Sequence, residues 1–150
     1  MNQTVAQLVV ISGRSGSGKS TALHVLEDLG YYCIDNLPAS LIPNLVDRSK
    51  QQKLSAKIAV SIDARNSAAD LEDFPLAITQ IQDFDVRVIF LDAASPTLIK
   101  RFSETRRKHP LSTQEMGLKE ALNVERQLLD GLAMMASLKI DTTHMTLHQL

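Results

Sequence analysis

The sequence lacks several features that define common classes of protein. Its 150 residues include a single cysteine, Cys33, so an internal disulfide is impossible. Cys33 lies in an apolar run, and we expect it to be a small core residue rather than a reactive thiol. No apolar stretch approaches the roughly 20 residues of a membrane span, and the first residues lack the pattern of a signal peptide. These absences predict a cytoplasmic protein with no membrane partner.

An excess of positive charge is also missing. The chain has 16 basic and 17 acidic residues, which gives a formal net charge of −1. As a whole it therefore has no basic signature for nucleic acid or for an anionic membrane. Aromatic residues make up only 4% of the chain, which gives little support to base stacking. The histidines show no metal-ligand spacing, and no Ser/His/Asp nucleophile arrangement is evident.

Short apolar runs alternate with helical patterns along the chain. The runs predict strands over Leu8–Ile11, Tyr31–Ile34, Ile58–Ile62, Val86–Leu91 and Leu138–Ile140. Helices are expected to begin at Lys19 and at about Pro43. A capping box over residues 67–70 begins the third helix, which should extend to Ile81. Two more should begin at Ser95 and at a capping box over residues 112–115. This alternation predicts one α/β domain over residues 1–150, with a parallel five-stranded sheet and helices on both faces.

Acidic residues follow four of the predicted strands. They are Asp35, Asp63, Asp92 and Asp141. In a parallel sheet of this kind, ligands bind outside the carboxyl ends of the strands. All four carboxylates are therefore candidates for a functional site.

The residues after the first strand match the phosphate-binding pattern GxxxxGK[ST]. They are Gly13, Arg14, Ser15, Gly16, Ser17, Gly18, Lys19 and Ser20. Glycines allow successive N–H groups to curl around a phosphate. The pattern further predicts that Lys19, facing solvent before ligand binds, reaches the β- and γ-phosphates of ATP or GTP, and that the Ser20 hydroxyl ligates Mg²⁺. The helix that follows directs its positive end at the anion.

A phosphate-binding loop is usually accompanied by an aspartate at a strand end that holds Mg²⁺ directly or through water. Two candidates compete here, Asp63 and Asp92. The run before Asp92 is the cleaner apolar strand, so periodicity alone favours Asp92.

A basic cluster lies near the end of the fourth predicted helix. Its members are Lys100, Arg101, Arg106, Arg107 and Lys108. One interpretation is a solvated helix end, where cations suit the helix dipole. A second is a lid whose arginines fold over bound phosphates and stabilise transferring charge. A contact with RNA is the third.

Several longer segments match one protein family. These are Ser12–Ser20, Leu26–Pro38 with its DNLP sequence, Ser61–Asn66, Phe90–Ala93, Arg101–Leu111 and Ile140–Thr143. In them the chain resembles the RapZ/YvcJ family of bacterial P-loop proteins over essentially its whole length. The DNLP and TRRxHPL sequences are far more specific than the P-loop pattern.

The resemblance implies a kinase-like strand order, in which the third strand lies beside the first. That order would place Asp63 on one flank of the P-loop and Asp92 on the other. The family's second nucleotide motif, D-x-R-N, corresponds to Asp63, Ala64, Arg65 and Asn66. On this ground we prefer Asp63 to Asp92 as the Mg²⁺ ligand.

The resemblance also implies weak binding and hydrolysis of ATP and GTP. The full-length family protein is an RNase adapter, which presents a small regulatory RNA to an endoribonuclease and so controls glucosamine-6-phosphate synthase levels. RNA and amino-sugar binding belong mainly to a C-terminal domain. Residues 145–150 look like the start of a helix, so we expect this chain to be a fragment without that domain. For the full-length protein we expect a homo-oligomer.

Two functions of different classes remain open at this point. The first is a regulatory switch that binds nucleotide and hydrolyses it slowly, and the second is a small-molecule kinase. Lys19 and Asp63 are catalytic candidates in both, and Asp35 could orient an acceptor hydroxyl in the kinase. The sequence specifies no acceptor, and the family match favours the switch. A relic that binds no nucleotide is disfavoured because Lys19 and Ser20 are intact.

Overall fold

The computed structural model describes residues 6–14, 16–52, 57–63, 68–79, 81, 84–105 and 117–144. Its five strands are β1 (Ala6–Gly13), β2 (Tyr32–Ile34), β3 (Lys57–Ile62), β4 (Phe84–Asp92) and β5 (Leu138–Asp141). Its α-helices are α1 (Lys19–Asp28), α2 (Ile42–Gln52), α3 (Ala68–Thr79), α4 (Ser95–Thr105) and α5 (Leu118–Met135). A short 3₁₀ turn, Ala39–Leu41, precedes α2.

The strands form one parallel sheet in the order β2-β3-β1-β4-β5. The longest pairings join β1 to its two neighbours, with Ser12 opposite Ile62 of β3 and Gly13 opposite Leu91 of β4. This order confirms the expected α/β fold and places the third strand beside the first. The ends of β3 and β4 therefore flank the end of β1, where the P-loop begins.

Both faces of the central strand are covered, which explains its continuous apolar run. Leu8 and Val10 point into one core together with Phe74 of α3 and Leu129 of α5. The alternate residues of β1, among them Val9 and Ile11, pack with Leu23 of α1 in a second core on the other face. Successive side chains of a strand point to opposite faces, so only a strand buried on both sides is apolar throughout.

The first connection crosses the sheet in the opposite direction to the connections that follow it. From β1 the chain crosses over α1 to the edge strand β2, and the later connections through α2, α3 and α5 run back toward β5 on the opposite face. The loops that leave the neighbouring strands β1 and β3 therefore separate to opposite faces of the sheet. Such a switch point opens a crevice at the carboxyl ends of the strands.

Four of the five described strands extend beyond the apolar runs that predicted them, whereas β2 begins one residue later than its run. β1 and β4 are longer at both ends, because backbone hydrogen bonds of the ladder form regardless of side-chain polarity. The expected continuation of the third helix to Ile81 is wrong, since α3 ends at Thr79. The Ile81 N–H donates to Ile78 O three residues back, a turn that ends the helix while the side chain still packs on the core. The expected capping box at residues 112–115 and the helix start at 145–150 lie outside the described residues.

None of the helices in the described ranges is long and apolar enough to cross a membrane.

Gly13 is the residue on which the end of β1 depends. Its φ is +149°, and a Cβ added to it would lie 2.0 Å from the carbonyl oxygen of Leu91. No side chain fits in that space, because the obstacle is the backbone of the neighbouring strand. Glycine at this position lets β1 pair with β4 up to its last residue.

Three glycines allow the contributions of strain and contact at Gly13 to be separated. We expect Gly13→Ala to lower the free energy of unfolding by about 2–5 kcal/mol, through both the clash and the left-handed φ. Gly30 has φ +96° with no atom near the added Cβ, so Gly30→Ala should lower it by about 1–2 kcal/mol. Gly131 lies in α5 in open space, and Gly131→Ala should raise it by about 0.5–1 kcal/mol. Urea denaturation measures all three, and equal effects at Gly13 and Gly30 would contradict the clash.

Candidate functional site

The P-loop connects a buried strand to a helix N-terminus, as the sequence pattern requires. β1 ends at Gly13 and α1 begins at Lys19. Gly18 precedes the helix with φ 115° and ψ 14°, a left-handed conformation that glycine adopts without strain. Gly16 also has a positive φ of 86°. The first turn of α1 therefore points its N–H groups into the loop.

Lys19 closes one side of the loop. Its Nζ donates to Gly13 O at 2.7 Å and to Arg14 O at 3.2 Å, and the side chain is partly buried. The expectation that Lys19 faces solvent is therefore wrong. The carbonyls at the start of the loop curl back toward the helix and offer the ammonium group acceptors, which a sequence pattern does not reveal.

The other side of the loop is held from outside by two long-range bonds. Gly16 O accepts a hydrogen bond from Arg101 of α4 at 2.8 Å, and Ser17 O accepts one from the Thr142 hydroxyl at 2.7 Å. In a trans peptide the N–H of the next residue points opposite to the carbonyl. The Gly18 N–H thus faces away from Thr142, toward the interior of the loop. Carbonyls turned outward and N–H groups turned inward form an anion-binding nest.

Ser17 contributes a buried hydroxyl that lacks a partner. The side chain is 0% exposed, and its Oγ has no hydrogen-bond partner among the described residues. Buried polar atoms in native proteins are nearly always paired, so an unpaired one calls for a ligand, an ion or a water. An oxygen-rich anion in the loop fits this requirement.

Two carboxylates flank the P-loop, as the strand order requires. Asp63 follows β3 and is 5% exposed. Asp92 ends β4 on the other flank, and its Oδ1 accepts hydrogen bonds from Arg14 Nε at 2.9 Å and from the Ala93 N–H at 2.8 Å. The two positions are similar in the sheet, and at Asp92 the carboxylate is engaged by the Arg14 cation.

Arg14 belongs to the P-loop by sequence, but its side chain leaves the loop. The guanidinium is 1% exposed, and besides Asp92 it donates to Ala93 O at 2.7 Å and to Ser95 Oγ at 2.9 Å. Its side chain therefore lies against the end of β4 and the start of α4.

The turn after β2 carries Asp35 and is fixed to β3 by one serine. The Ser61 hydroxyl donates to Asp35 Oδ1 at 2.5 Å and accepts from the Asn36 N–H at 2.7 Å. The Leu37 N–H donates to Ser61 O at 3.0 Å. Asn36 has a φ of +56°, the left-handed conformation that asparagine tolerates in turns. Asp35 is thus an exposed carboxylate on a well-defined turn near the P-loop edge of the sheet.

Arg101 and Thr142 connect the P-loop to the turn after β5. Arg101 donates to the Thr142 hydroxyl at 3.0 Å and to Thr142 O, and Thr142 itself is fully buried. The turn is shaped by Asp141, whose carboxylate accepts from the hydroxyl and the N–H of Thr143. These bonds lower the pKa of Asp141 below its ordinary value.

The expected site residues fall into three groups. The strand order and α4 bring together Gly13, Gly16, Ser17, Gly18, Lys19, Ser20, Asp63 and Arg101 around the P-loop. Arg14 lies in the loop, but its side chain is directed to Asp92 and Ser95. Ser15, Ala64, Arg65, Asn66, Arg106 and Arg107 lie outside the described residues. The proposed lid and the D-x-R-N motif are therefore described only through Arg101 and Asp63.

Sequence reasoning missed three small polar residues that shape the site. They are Ser61, Ser95 and Thr142, which hold the Asp35 turn, Arg14 and the P-loop respectively. Ser61 does carry a signal in the sequence, because it is a polar residue within the apolar run IAVSI of β3. Ser95 and Thr142 lie in turn-like sequence and carry no comparable signal.

Comparison with known proteins places these features in a family. A family model described as the RapZ-like N-terminal domain matches residues 6–150. A curated protein of Hahella chejuensis named Nucleotide-binding protein is 55% identical, and the match covers 96% of this chain and 52% of that protein. A protein of the same name from Pseudomonas aeruginosa strain LESB58 is 53% identical with the same coverage. The chain spans about half the length of these curated relatives.

Solved structures show the same fold in P-loop kinases. The gluconokinase of Sinorhizobium meliloti superposes with a TM-score of 0.56 at 16% identity, over 97% of this chain and 87% of that one. At this identity the likeness shows the fold alone. Together with the family model and the close relatives, the fold and the P-loop geometry show that this chain belongs to the RapZ-like N-terminal domain family.

Proposed function

We propose that this chain binds the phosphates of ATP or GTP, together with Mg²⁺, in the P-loop between β1 and α1. The observation that carries the proposal is the orientation of the loop. The carbonyls of Gly16 and Ser17 are bonded to Arg101 and Thr142, which lie outside the loop. This leaves the inward-facing Gly18 N–H, the helix N-terminus and the unpaired Ser17 hydroxyl for an anion. The curated relatives named Nucleotide-binding protein support the same ligand class.

Lys19 supplies the mobile charge of the proposed site. Its Nζ donates hydrogen bonds to the carbonyls of Gly13 and Arg14, at the mouth of the loop. A lysine on a flexible stem can exchange these neutral acceptors for phosphate oxygens, which form stronger, charge-assisted bonds. In this role Lys19 neutralises the β- and γ-phosphates and is the leading catalytic candidate for slow hydrolysis.

Ser20 and Asp63 are the proposed protein groups around Mg²⁺. Ser20 lies in the first turn of α1 and is exposed, while Asp63 directly follows β3 beside the P-loop. Magnesium commonly uses one or two protein oxygens and completes its shell with phosphates and water. The metal would neutralise charge on the phosphates. We prefer Asp63 to Asp92 because Asp63 begins the D-x-R-N sequence that corresponds to the family's second nucleotide motif.

At the level of the whole protein, we place this domain in a cytoplasmic RNase adapter. Its relatives are about twice as long, so RNA and endoribonuclease contacts would involve the further half of the protein. In that arrangement, nucleotide bound to this domain acts as a signal, with hydrolysis too slow to serve metabolism. Control of glucosamine-6-phosphate synthase levels and assembly into a homo-oligomer are parts of the same proposal.

A small-molecule kinase is the second candidate, favoured by the geometry of Asp35. Ser61 and the left-handed Asn36 hold this carboxylate on a fixed turn at the same edge of the sheet as the P-loop. A fixed carboxylate there could accept the proton of an acceptor hydroxyl. Turnover measured with and without a panel of small hydroxylated metabolites separates the candidates. A metabolite that raises turnover far above the rate with water alone would favour the kinase and overturn the switch.

The first prediction from the proposed function concerns Lys19. We expect Lys19→Ala to weaken binding of a fluorescent ATP analogue by about 10- to 150-fold, the value of a lost bond to a charged group. Titration by fluorescence anisotropy measures the loss, and circular dichroism checks that the variant is folded. Lys119→Ala, which removes an exposed lysine of α5, is the matched control and should bind normally. Unchanged affinity in folded Lys19→Ala would contradict the phosphate site.

The second prediction concerns the metal. We expect Asp63→Asn to weaken nucleotide binding more in the presence of Mg²⁺ than in EDTA, because it removes a ligand charge that acts only through the metal. Asp92→Asn should change nucleotide affinity by a similar factor in Mg²⁺ and in EDTA. Titrations of both variants against Mg²⁺ concentration decide between the two carboxylates. If nucleotide affinity loses more of its Mg²⁺ dependence in Asp92→Asn than in Asp63→Asn, periodicity identified the ligand correctly.

The third prediction concerns RNA. We expect this chain to bind the regulatory RNA much more weakly than a full-length relative does, since its 16 basic residues are balanced by 17 acidic ones and RNA affinity comes largely from cations. Anisotropy with labelled RNA at near-physiological salt compares the chain with the full-length Pseudomonas aeruginosa relative. Affinities within about tenfold, or roughly 1.4 kcal/mol, would place the RNA site in these residues and overturn the division of roles.

A further inference from the structure

Arg14 presents a contradiction between sequence and position. It lies within a loop that surrounds an anion in the proposed function, and its charge is of the sign that an anion attracts. Yet its guanidinium is 1% exposed and is directed to Asp92, Ala93 and Ser95. A side chain that is buried and bonded to residues outside the loop serves another purpose than binding phosphate.

The partners of Arg14 come from two consecutive elements. Asp92 is the last residue of β4, and Ser95 is the first residue of α4. Between them, the Ala93 carbonyl accepts the third bond. Three donors of a planar, rigid group therefore fix the start of the P-loop to the β4–α4 junction, with distances between 2.7 and 2.9 Å.

The rest of the loop is fixed from a second direction. The Gly16 carbonyl is held by Arg101 and the Ser17 carbonyl by Thr142. Arg101 also extends from α4, so both attachments reach the helix that follows β4. The Gly16 and Ser17 peptides lie between these two attachments, and we infer that the directions of the Ser17 and Gly18 N–H groups depend on both.

We propose that Arg14 is a positioning residue: together with its ion partner Asp92, it sets the conformation of the P-loop and does not contact the nucleotide. The inference rests on the proposed phosphate site. It assigns Asp92 a role that differs in kind from that of Asp63. Asp63 acts on the metal, whereas Asp92 acts on the loop through Arg14, with or without metal.

The pairing also explains why the charge is tolerated inside the protein. A buried guanidinium without a partner is strongly destabilising, whereas a paired one with its remaining donors bonded is not. Asp92 supplies the opposite charge, and Ala93 O and Ser95 Oγ accept one further hydrogen bond each. Lysine cannot replace this arrangement, because a single ammonium does not reproduce the planar fork.

The test combines four variants with measurements in Mg²⁺ and in EDTA. We expect Arg14→Lys, Arg14→Met and Asp92→Asn each to weaken binding of the fluorescent ATP analogue about tenfold, by a similar factor in both conditions. Arg14→Met combined with Asp92→Asn should lose little more than either change alone, because both break the same contact. Additive losses, or a loss for Arg14 variants with none for Asp92→Asn, would mean that Arg14 contacts phosphate directly and would overturn the proposal.

A matched pair on the same strand supplies the control. Arg87 and Asp85 of β4 form an ion pair at 3.3 Å, with Arg87 64% and Asp85 42% exposed. Arg87→Met should leave nucleotide affinity unchanged, since exposed pairs contribute little. Ser95→Ala removes only one acceptor of Arg14 and remains informative if the Arg14 variants fail to fold. It should produce a smaller loss that is again equal with and without Mg²⁺, and normal affinity in this variant would count against the proposal.

One further measurement separates the failure of this inference from failure of the proposed function. If the unmodified chain binds no nucleotide, the phosphate site is wrong, and the role of Arg14 is then read from the amide resonances of Gly16, Gly18 and Lys19. Shifts of these resonances in both Arg14→Lys and Asp92→Asn, but not in Arg87→Met, would support positioning of the loop. Unchanged resonances in the Arg14 and Asp92 variants would overturn it.

Discussion

The P-loop depends on the constraint that the two polar groups of a peptide point in opposite directions. To present N–H groups to an anion, the loop must turn its carbonyls outward, and each of those carbonyls needs a donor. Arg101 and Thr142, which are distant in sequence, provide donors for the carbonyls of Gly16 and Ser17. The site is therefore defined as much by what binds the outside of the loop as by the glycines within it.

The sheet order brings these donors together. Thr142 lies 125 residues from the carbonyl it binds, and Arg101 lies 85 residues from its acceptor. They meet because β4 and β5 continue the sheet on one side of β1, so that the turns after all three strands share an edge. The close approach of Gly13 to Leu91 keeps β1 and β4 paired up to that edge. Strand pairing, loop conformation and anion site thus form one connected arrangement.

The two strand-end carboxylates show how neighbouring interactions divide similar residues into different roles. Asp63 directly follows β3 and Asp92 ends β4, and both strands lie next to β1. Sequence periodicity favoured Asp92, but in the structure its Oδ1 accepts from Arg14 Nε and from the Ala93 N–H, so this carboxylate holds a side chain of the P-loop. The proposal that Asp63 serves the metal rests on its place in the D-x-R-N motif beside the P-loop.

The sequence by itself determined the fold class, the strand order through family resemblance, and the location of the P-loop, because strand and helix periodicity and the glycine pattern are local signals. It determined neither the direction of the Arg14 side chain nor the bonds of Lys19, and it did not indicate that Ser95 binds Arg14 or that Thr142 binds the P-loop. Only the tertiary structure decided these, because the partners of each group lie on turns that are distant in sequence. A hydrogen bond such as that from Arg14 to Asp92, 78 residues apart, exists only after the sheet has brought both strand ends to one edge.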